Sequence, residues 1–239
     1  CLTQPAEEGE ATARCMIMVT EEKDAFGNPP IIERTMATYL GASVHFDTED
    51  VKHDAIAESE VLLLEGYLFD SPSARDAVES AIETAKKHGT KIPFSLSDAL
   101  CVERHHDSFN QLMKDSVDIL FCNESEIKAL LGDKDTHQLF YELQDMVEIA
   151  CVTHGSQGSF IVTNNKIHTI HPQEVTDIYD VTGAGDMYAA GFLYGYLYGL
   201  TLKESGDLAT KCASETIRNL GARPVSKFRG FVNKTAKAS

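Results

Sequence analysis

Hydrophobic and polar positions divide the chain into three regimes. Residues 1–13 are polar, rich in Glu and Ala, and without period, which predicts a mobile arm. Arg14–Thr20 (RCMIMVT) and Ile31–Leu40 (IIERTMATYL) read as two strands flanking the turn signal Gly27-Asn28-Pro29-Pro30. From Phe46 strands and helices alternate. The hairpin stands apart from that alternation and is a candidate lid sheet. Residues 47–59 predict a helix capped by Asp47 or Thr48, 61–69 (VLLLEGYLF) a strand, and 71–87 a helix with Ser71 as cap and Pro72 in its first turn. A strand at 91–97 and a helix at 104–116 come next. Then come a strand at 117–123, a helix closed by Gly132, a helix at 137–146 and a strand at 149–155. Residues 158–163 and 166–170 form a hairpin about Asn164-Asn165. A short strand ends near Tyr179, a helix succeeds the glycines at 183 and 185, and a last helix covers Leu202–Leu220. Strands buried on both faces and alternating with helices predict a mostly parallel sheet in an α/β domain. The division is 14–45 for the lid-like hairpin, 46–226 for the α/β core, and flexible ends at 1–13 and 227–239.

The 239 residues suffice for a full core, and no apolar run approaches the ~20 residues of a membrane helix. A net charge of −16 argues against nonspecific binding to nucleic acid or anionic membrane. Six scattered cysteines without a Cys-x-x-Cys pair read as reduced thiols of a cytoplasmic protein.

The stretch Asp177–Gly199 (DIYDVTGAGDMYAAGFLYGYLYG) concentrates the chemistry. Gly183 and Gly185 allow close backbone approach, and the helix start offers N–H groups and a dipole to an anion. Asp186 does not suit a site that only binds phosphate, because it would repel the ligand. It suits a site that removes a proton from a hydroxyl attacking that phosphate. An ordinary turn with an acidic first helical turn accounts for the same residues. Ligands of such sheets bind at the carboxyl ends of the strands. Those ends carry Glu65, Asp98, Asn123-x-x-Glu126, Thr153-His154-Gly155-x-x-Gly158 and Asp180. Asn123 and Glu126 also read as a capping box, the Gly155–Gly158 segment as a tight turn, and Asp98 as a helix cap. Arg34 lies in the lid-like hairpin, and a solvated strand arginine explains it as well. His105-His106 lacks a third ligand at metal-binding spacing.

These motifs resemble the ribokinase-like (PfkB) family of sugar and nucleoside kinases, in the adenosine-kinase-like and sugar-kinase branch. The family's Asp-Thr-x-Gly-Ala-Gly-Asp signature matches Asp180–Asp186 with Val181 in its second position. Asn-x-x-Glu, Thr-x-Gly-x-x-Gly and Gly221-Ala222-Arg223-Pro224 also match, so the resemblance runs from about Arg14 to Pro224. It implies a three-layer α/β/α sandwich with a small β-lid and transfer of the γ-phosphate of ATP to a primary hydroxyl of a sugar or nucleoside. It implies Asp186 as base and the N–H groups of Gly183, Ala184 and Gly185 as the anion hole. Asn123, Glu126, Thr153, Gly155, Gly158 and Thr210 would serve the nucleotide, Glu126 acting on Mg²⁺ through water. Ser214 is a weaker companion to Thr210. Asp180 shapes the turn and is a candidate for a monovalent cation such as K⁺, while Arg34 and Glu65 are candidates for the acceptor side. The partners implied are a small-molecule acceptor and, as monomer or homodimer through the lid, a second copy. The family's N-terminal part, with an acceptor-binding Asp and a Gly-Gly signature, has no counterpart, and no Gly-Gly pair occurs. The alternative expectation is therefore a nucleotide-binding or regulatory protein without turnover.

Overall fold

In a computed structural model the described residues are 9–22, 31–225 and 228, so the Gly27–Pro30 turn signal and most of both predicted flexible ends lie outside them. Two strands, β1 (Arg14–Glu22) and β2 (Ile31–Tyr39), pair antiparallel with Arg14 opposite Tyr39 and Glu22 opposite Ile31. The rest mixes strands and helices: α1 (His53–Ala57), β3 (Leu64–Glu65), α2 (Pro72–His88), β4 (Pro93–Ser95), α3 (Ala99–Arg104), which the sequence reading missed, α4 (His106–Asp115), β5 (Ile119–Asn123), α5 (Glu124–Leu131), α6 (Thr136–Met146), β6 (Ile149–Thr153), β7 (Ser159–Thr163), β8 (Lys166–Ile170), α7 (Ala184–Leu197) and α8 (Leu202–Thr216). Strands β3 to β8 form one six-stranded sheet in sequence order. The pairs β3/β4, β4/β5 and β5/β6 are parallel, and β7 turns into β8 at Asn164-Asn165. Among the described residues no helix is long and apolar enough to cross a membrane.

The chain forms two compact units. One comprises residues 40–154 and 160–167 with the residues before 14; the other comprises 14–39, 155–159 and the residues from 168 on. The first holds a continuous core that includes Leu64, Val78, Phe94, Phe109, Met113, Leu120, Ile127, Leu143 and Val152. In the second, α7 packs on α8 so closely that Gly191 and Gly195 are required. A Cβ at Gly191 would meet the Ala209 Cα at 2.9 Å, and one at Gly195 the Ser205 Oγ at 2.8 Å. The small face of α7 thus meets a helix.

Four expectations need correction. The helix at 47–59 breaks in two: Asp47 and Asp50 close a capping box around the single turn 48–50, and α1 starts afresh at His53. The strand at 61–69 keeps only Leu64–Glu65, because residues 66–70 wind into a 3-10 turn whose Phe69 carbonyl accepts from Arg75 Nε at 2.6 Å. Ser71 does not cap α2; its hydroxyl donates to the Val44 carbonyl at 3.2 Å, and Pro72 alone marks the start. No strand precedes Asp180. The Tyr179 N–H donates to the Ile217 carbonyl at 2.9 Å, just beyond α8, so this segment is held by a helix end.

Candidate active site

In the first unit, parallel pairing sets Asn123, the last residue of β5, beside Thr153, the last of β6. The Thr153 hydroxyl donates to the Cys122 carbonyl at 3.4 Å. Asn123 caps α5, its Oδ1 accepting from the Glu126 N–H at 2.9 Å. Glu126 returns the contact, accepting from the Asn123 N–H at 2.9 Å and from Nδ2 at 2.7 Å. Glu126 is buried, and burial pushes its carboxyl up against the lowering effect of the Asn123 N–H. Both carboxylate oxygens keep lone pairs, which fits a metal reached through water better than one gripped directly. Beside them, His154 Nε2 meets the Glu124 carboxylate at 2.7 Å, and Glu124 also holds Lys128 at 2.9 Å. The sequence assigns His154 no role, and nothing in it reveals this pair. Glu65 is exposed at the end of β3, and Asp98 caps α3 through the Cys101 N–H at 2.7 Å, as the sequence predicts.

In the second unit, Asp180 is buried under the glycine turn. One carboxylate oxygen accepts from the Thr182 N–H (2.9 Å) and hydroxyl (2.6 Å), the other from the Gly221 N–H (2.8 Å). Burial would raise its pKa, but these donors and the nearby Arg34 guanidinium hold the carboxyl below its ordinary value. Gly183 then takes the left-handed conformation (φ 79°), and a Cβ there would lie 2.5 Å from the Ala222 carbonyl oxygen. Helix α7 begins at Ala184 without a side-chain cap, and Asp186 is exposed in its first turn. The first N–H groups of a helix lack intrahelical acceptors. Ala184 N–H bends back to the Val181 carbonyl at 3.3 Å, a long bond, and the space beside Gly185 is open. Arg34, on β2, donates from Nη1 to the Val181 carbonyl at 2.8 Å, so the hairpin arginine reaches the turn itself.

The Gly155–Gly158 loop belongs to the same unit and closes on itself, the Gly158 N–H donating to the Gly155 carbonyl at 3.2 Å. Gly155 (φ 52°) faces open space, whereas a Cβ at Gly158 (φ 97°) would lie 2.2 Å from the Ile170 carbonyl oxygen. The structure joins this loop to α7, because Ser159 and Tyr188 share a buried hydrogen bond of 2.8 Å. On α8 the Thr210 hydroxyl is buried without a hydrogen-bond partner among the described residues, a polar atom of the kind a ligand satisfies. The open glycines, the uncapped helix start and the orphaned hydroxyl fit a nucleotide.

One group of metal-ligating side chains among the described residues lies in the first unit: Asp70, Cys101 and His105. Two of its three donors, Asp70 and His105, are already engaged. Arg75 Nη2 approaches His105 Nδ1 at 3.1 Å, which leaves the ring proton on Nε2, facing Asp70 at 2.7 Å. Arg104 forks onto the same carboxylate, and burial pushes the Cys101 thiol up to about 12. Arg75, His105, Asp70 and Arg104 thus form a hydrogen-bond network beside the buried Cys101.

A model of the pfkB family of carbohydrate kinases matches residues 4–228. The chain belongs to this family. The structure of adenosine kinase from Sinorhizobium meliloti is 39% identical and superposes with a TM-score of 0.87 over 94% of this chain and 66% of that one. A structure described as a ribokinase II from E. coli in complex with ATP and Mg²⁺ is 20% identical, with a TM-score of 0.73 over 80% of this chain and 63% of that one. The fold is therefore ribokinase-like. Among curated proteins, 5-dehydro-2-deoxygluconokinase from Listeria monocytogenes (strain HCC23) is 26% identical over 72% of this chain and 55% of its own length. The chain spans about half the length of the curated relatives it matches.

Proposed function

We propose that this pfkB-family chain carries the nucleotide side of an ATP-dependent phosphotransferase acting on a primary hydroxyl of a sugar or nucleoside. The observation that carries the reading is the start of α7: a left-handed Gly183, an uncapped helix N-terminus and an exposed Asp186. In this proposal Asp186 takes the proton from the acceptor hydroxyl as its oxygen bonds to the γ-phosphorus. The bond to the bridging oxygen breaks, and that oxygen leaves with ADP. The N–H groups of Gly183, Ala184 and Gly185 hold the charge that develops on the transferred group.

The loop Gly155–Gly158 and Thr153 serve the nucleotide, and Thr210 its far end, where the unpartnered hydroxyl gains an acceptor or donor. Mg²⁺, when bound, supplies neutralising charge to the phosphates. Glu126 and Asn123 would hold it through water. Asp180 holds the turn, and its remaining lone pairs are what a monovalent cation would use. Arg34, already on the Val181 carbonyl, keeps further N–H groups for the acceptor side, with Glu65 a weaker companion. The hairpin as a lid belongs to the same proposal. Bound ATP and Mg²⁺ in the E. coli neighbour and the names of the two kinases above support the cofactor and the reaction class.

Calorimetry of this chain with Mg-ATP tests the reading. Saturable binding is expected; a folded sample that takes up no nucleotide overturns it.

A further inference from the structure

Two hydroxyls meet where neither is needed for packing. Ser159 begins β7 directly after Gly158, and its residue is 2% exposed; Tyr188 lies on α7 two residues beyond Asp186 and is 4% exposed. Their oxygens are 2.8 Å apart. One turn further on that face of α7, Gly191 and Phe192 are apolar and buried. A phenylalanine would fill the same volume, so the phenol oxygen is present for its hydrogen bonding. A buried tyrosine hydroxyl requires a partner.

The position of the link gives it a consequence. Gly158 is wedged against Ile170 and Pro172 and closes its turn on Gly155, so the loop's exit is stiff. Ser159 then carries that stiff exit to the helix whose first turn presents Gly185 and Asp186. The Ser159–Tyr188 hydrogen bond thereby ties the two glycine segments of this unit together.

We propose that Ser159 and Tyr188 are positioning residues, which set nucleotide affinity by fixing the Gly155–Gly158 loop against the start of α7. The proposal rests on the reading that both segments address the phosphates of ATP. Neither side chain needs to touch the ligand. A phosphate chain contacted from both sides binds best when the two sets of N–H groups are already in place, because affinity then loses less to ordering.

The test compares the parent chain with Tyr188→Phe, Ser159→Ala and the double variant. Mg-ATP affinity is measured by calorimetry and thermal stability on the same samples. Each single variant leaves a buried hydroxyl without this partner, so Tm should fall, and Mg-ATP should bind about threefold to tenfold more weakly, in keeping with the net worth of one hydrogen bond. In the double variant both hydroxyls are gone. Tm should recover, since the desolvation cost is removed, but affinity should stay low, since the link is still missing. A role confined to folding gives parent affinity in every folded variant, or affinity that recovers together with Tm; either result overturns the proposal. If Tyr188→Phe does not fold, Ser159→Ala and the double variant make the same comparison. Failure of the parent chain to bind Mg-ATP overturns the kinase reading and this inference together, whereas binding that is insensitive to all three variants overturns this inference alone.

Discussion

Helices α5 and α7 both begin with a carboxylate at their third residue, and the two starts are built in opposite ways. At α5, Asn123 caps the helix and Glu126 folds back onto Asn123, so every strong group answers a neighbour. At α7, Gly183 is the cap and offers no side chain, and Asp186 stays exposed. Stability at the first start comes from the cap itself. At the second it comes from elsewhere: the Asp180 network below the turn and the Gly191 and Gly195 contacts with α8. A helix start whose polar groups answer one another is stable in itself and can reach a metal only through water. One held from behind, with its front groups open, is free to act on a ligand.

The largest effect should come from Asp186→Asn. Gly183, not Asp186, is the cap of α7, and the Asp186 side chain is exposed, so folding should be kept. In an assay with a competent acceptor, kcat should fall by about 10²–10⁴, the range for losing a general base, while Mg-ATP affinity holds or rises slightly. Near-normal turnover at saturating substrate would leave Asp186 a helix-start residue and nothing more.

The two glycines of the α7 start should separate next. Gly183→Val forces a β-branched residue into φ 79° and sets its Cβ 2.5 Å from the Ala222 carbonyl oxygen, so the turn cannot keep its shape. A loss of about 3 kcal/mol or more is expected, read as a collapse in Tm. Gly185→Ala meets open space and lies in a helix, where Ala is favoured by up to about 1 kcal/mol. Its Tm should hold or rise while Mg-ATP binding weakens. Unchanged affinity in Gly185→Ala would mean that phosphate does not approach this face.

Asn123→Ala should show the reverse behaviour. It removes the α5 cap and takes away the Nδ2 partner of the buried Glu126 carboxylate, at a cost of about 1–2 kcal/mol. Denaturant unfolding should register that loss. If stability is unchanged, the capping box is not what holds this helix start.

Legibility in the sequence divides along the same line, between local and distant partners. The sheet alternation, the Asn164-Asn165 turn, the Asp98 cap and the start of α7 beyond Gly183 are local patterns, and the structure agrees with them. The expected helix at 47–59 fails because Asp47 and Asp50 satisfy each other within one turn, a local alternative that periodicity does not register. The strand expected before Asp180 fails because its N–H partner, Ile217, lies 38 residues away along the chain. Asn123-x-x-Glu126 reads both as a cap and as a metal-side pair, and only the distances show how fully the capping contacts are made. The Ser159–Tyr188 link leaves no trace in sequence beyond a hydroxyl in an apolar helix face.

The smallest expected effect concerns what holds α7 from behind. Ser205, on α8, is fully buried against Gly195, and its hydroxyl has no hydrogen-bond partner among the described residues. A buried hydroxyl without a partner has lost its water and gained nothing in return. Ser205→Ala keeps the Cβ that packs against Gly195 and removes only that oxygen, so the helix contact survives and the desolvation cost disappears. Stability should stay level or rise by up to about 1 kcal/mol, with Mg-ATP affinity unchanged. A measurable fall in Tm would show that the hydroxyl has a partner such as a bound water. Support for α7 would then rest partly on a polar contact, and the contrast with the capped start of α5 would narrow.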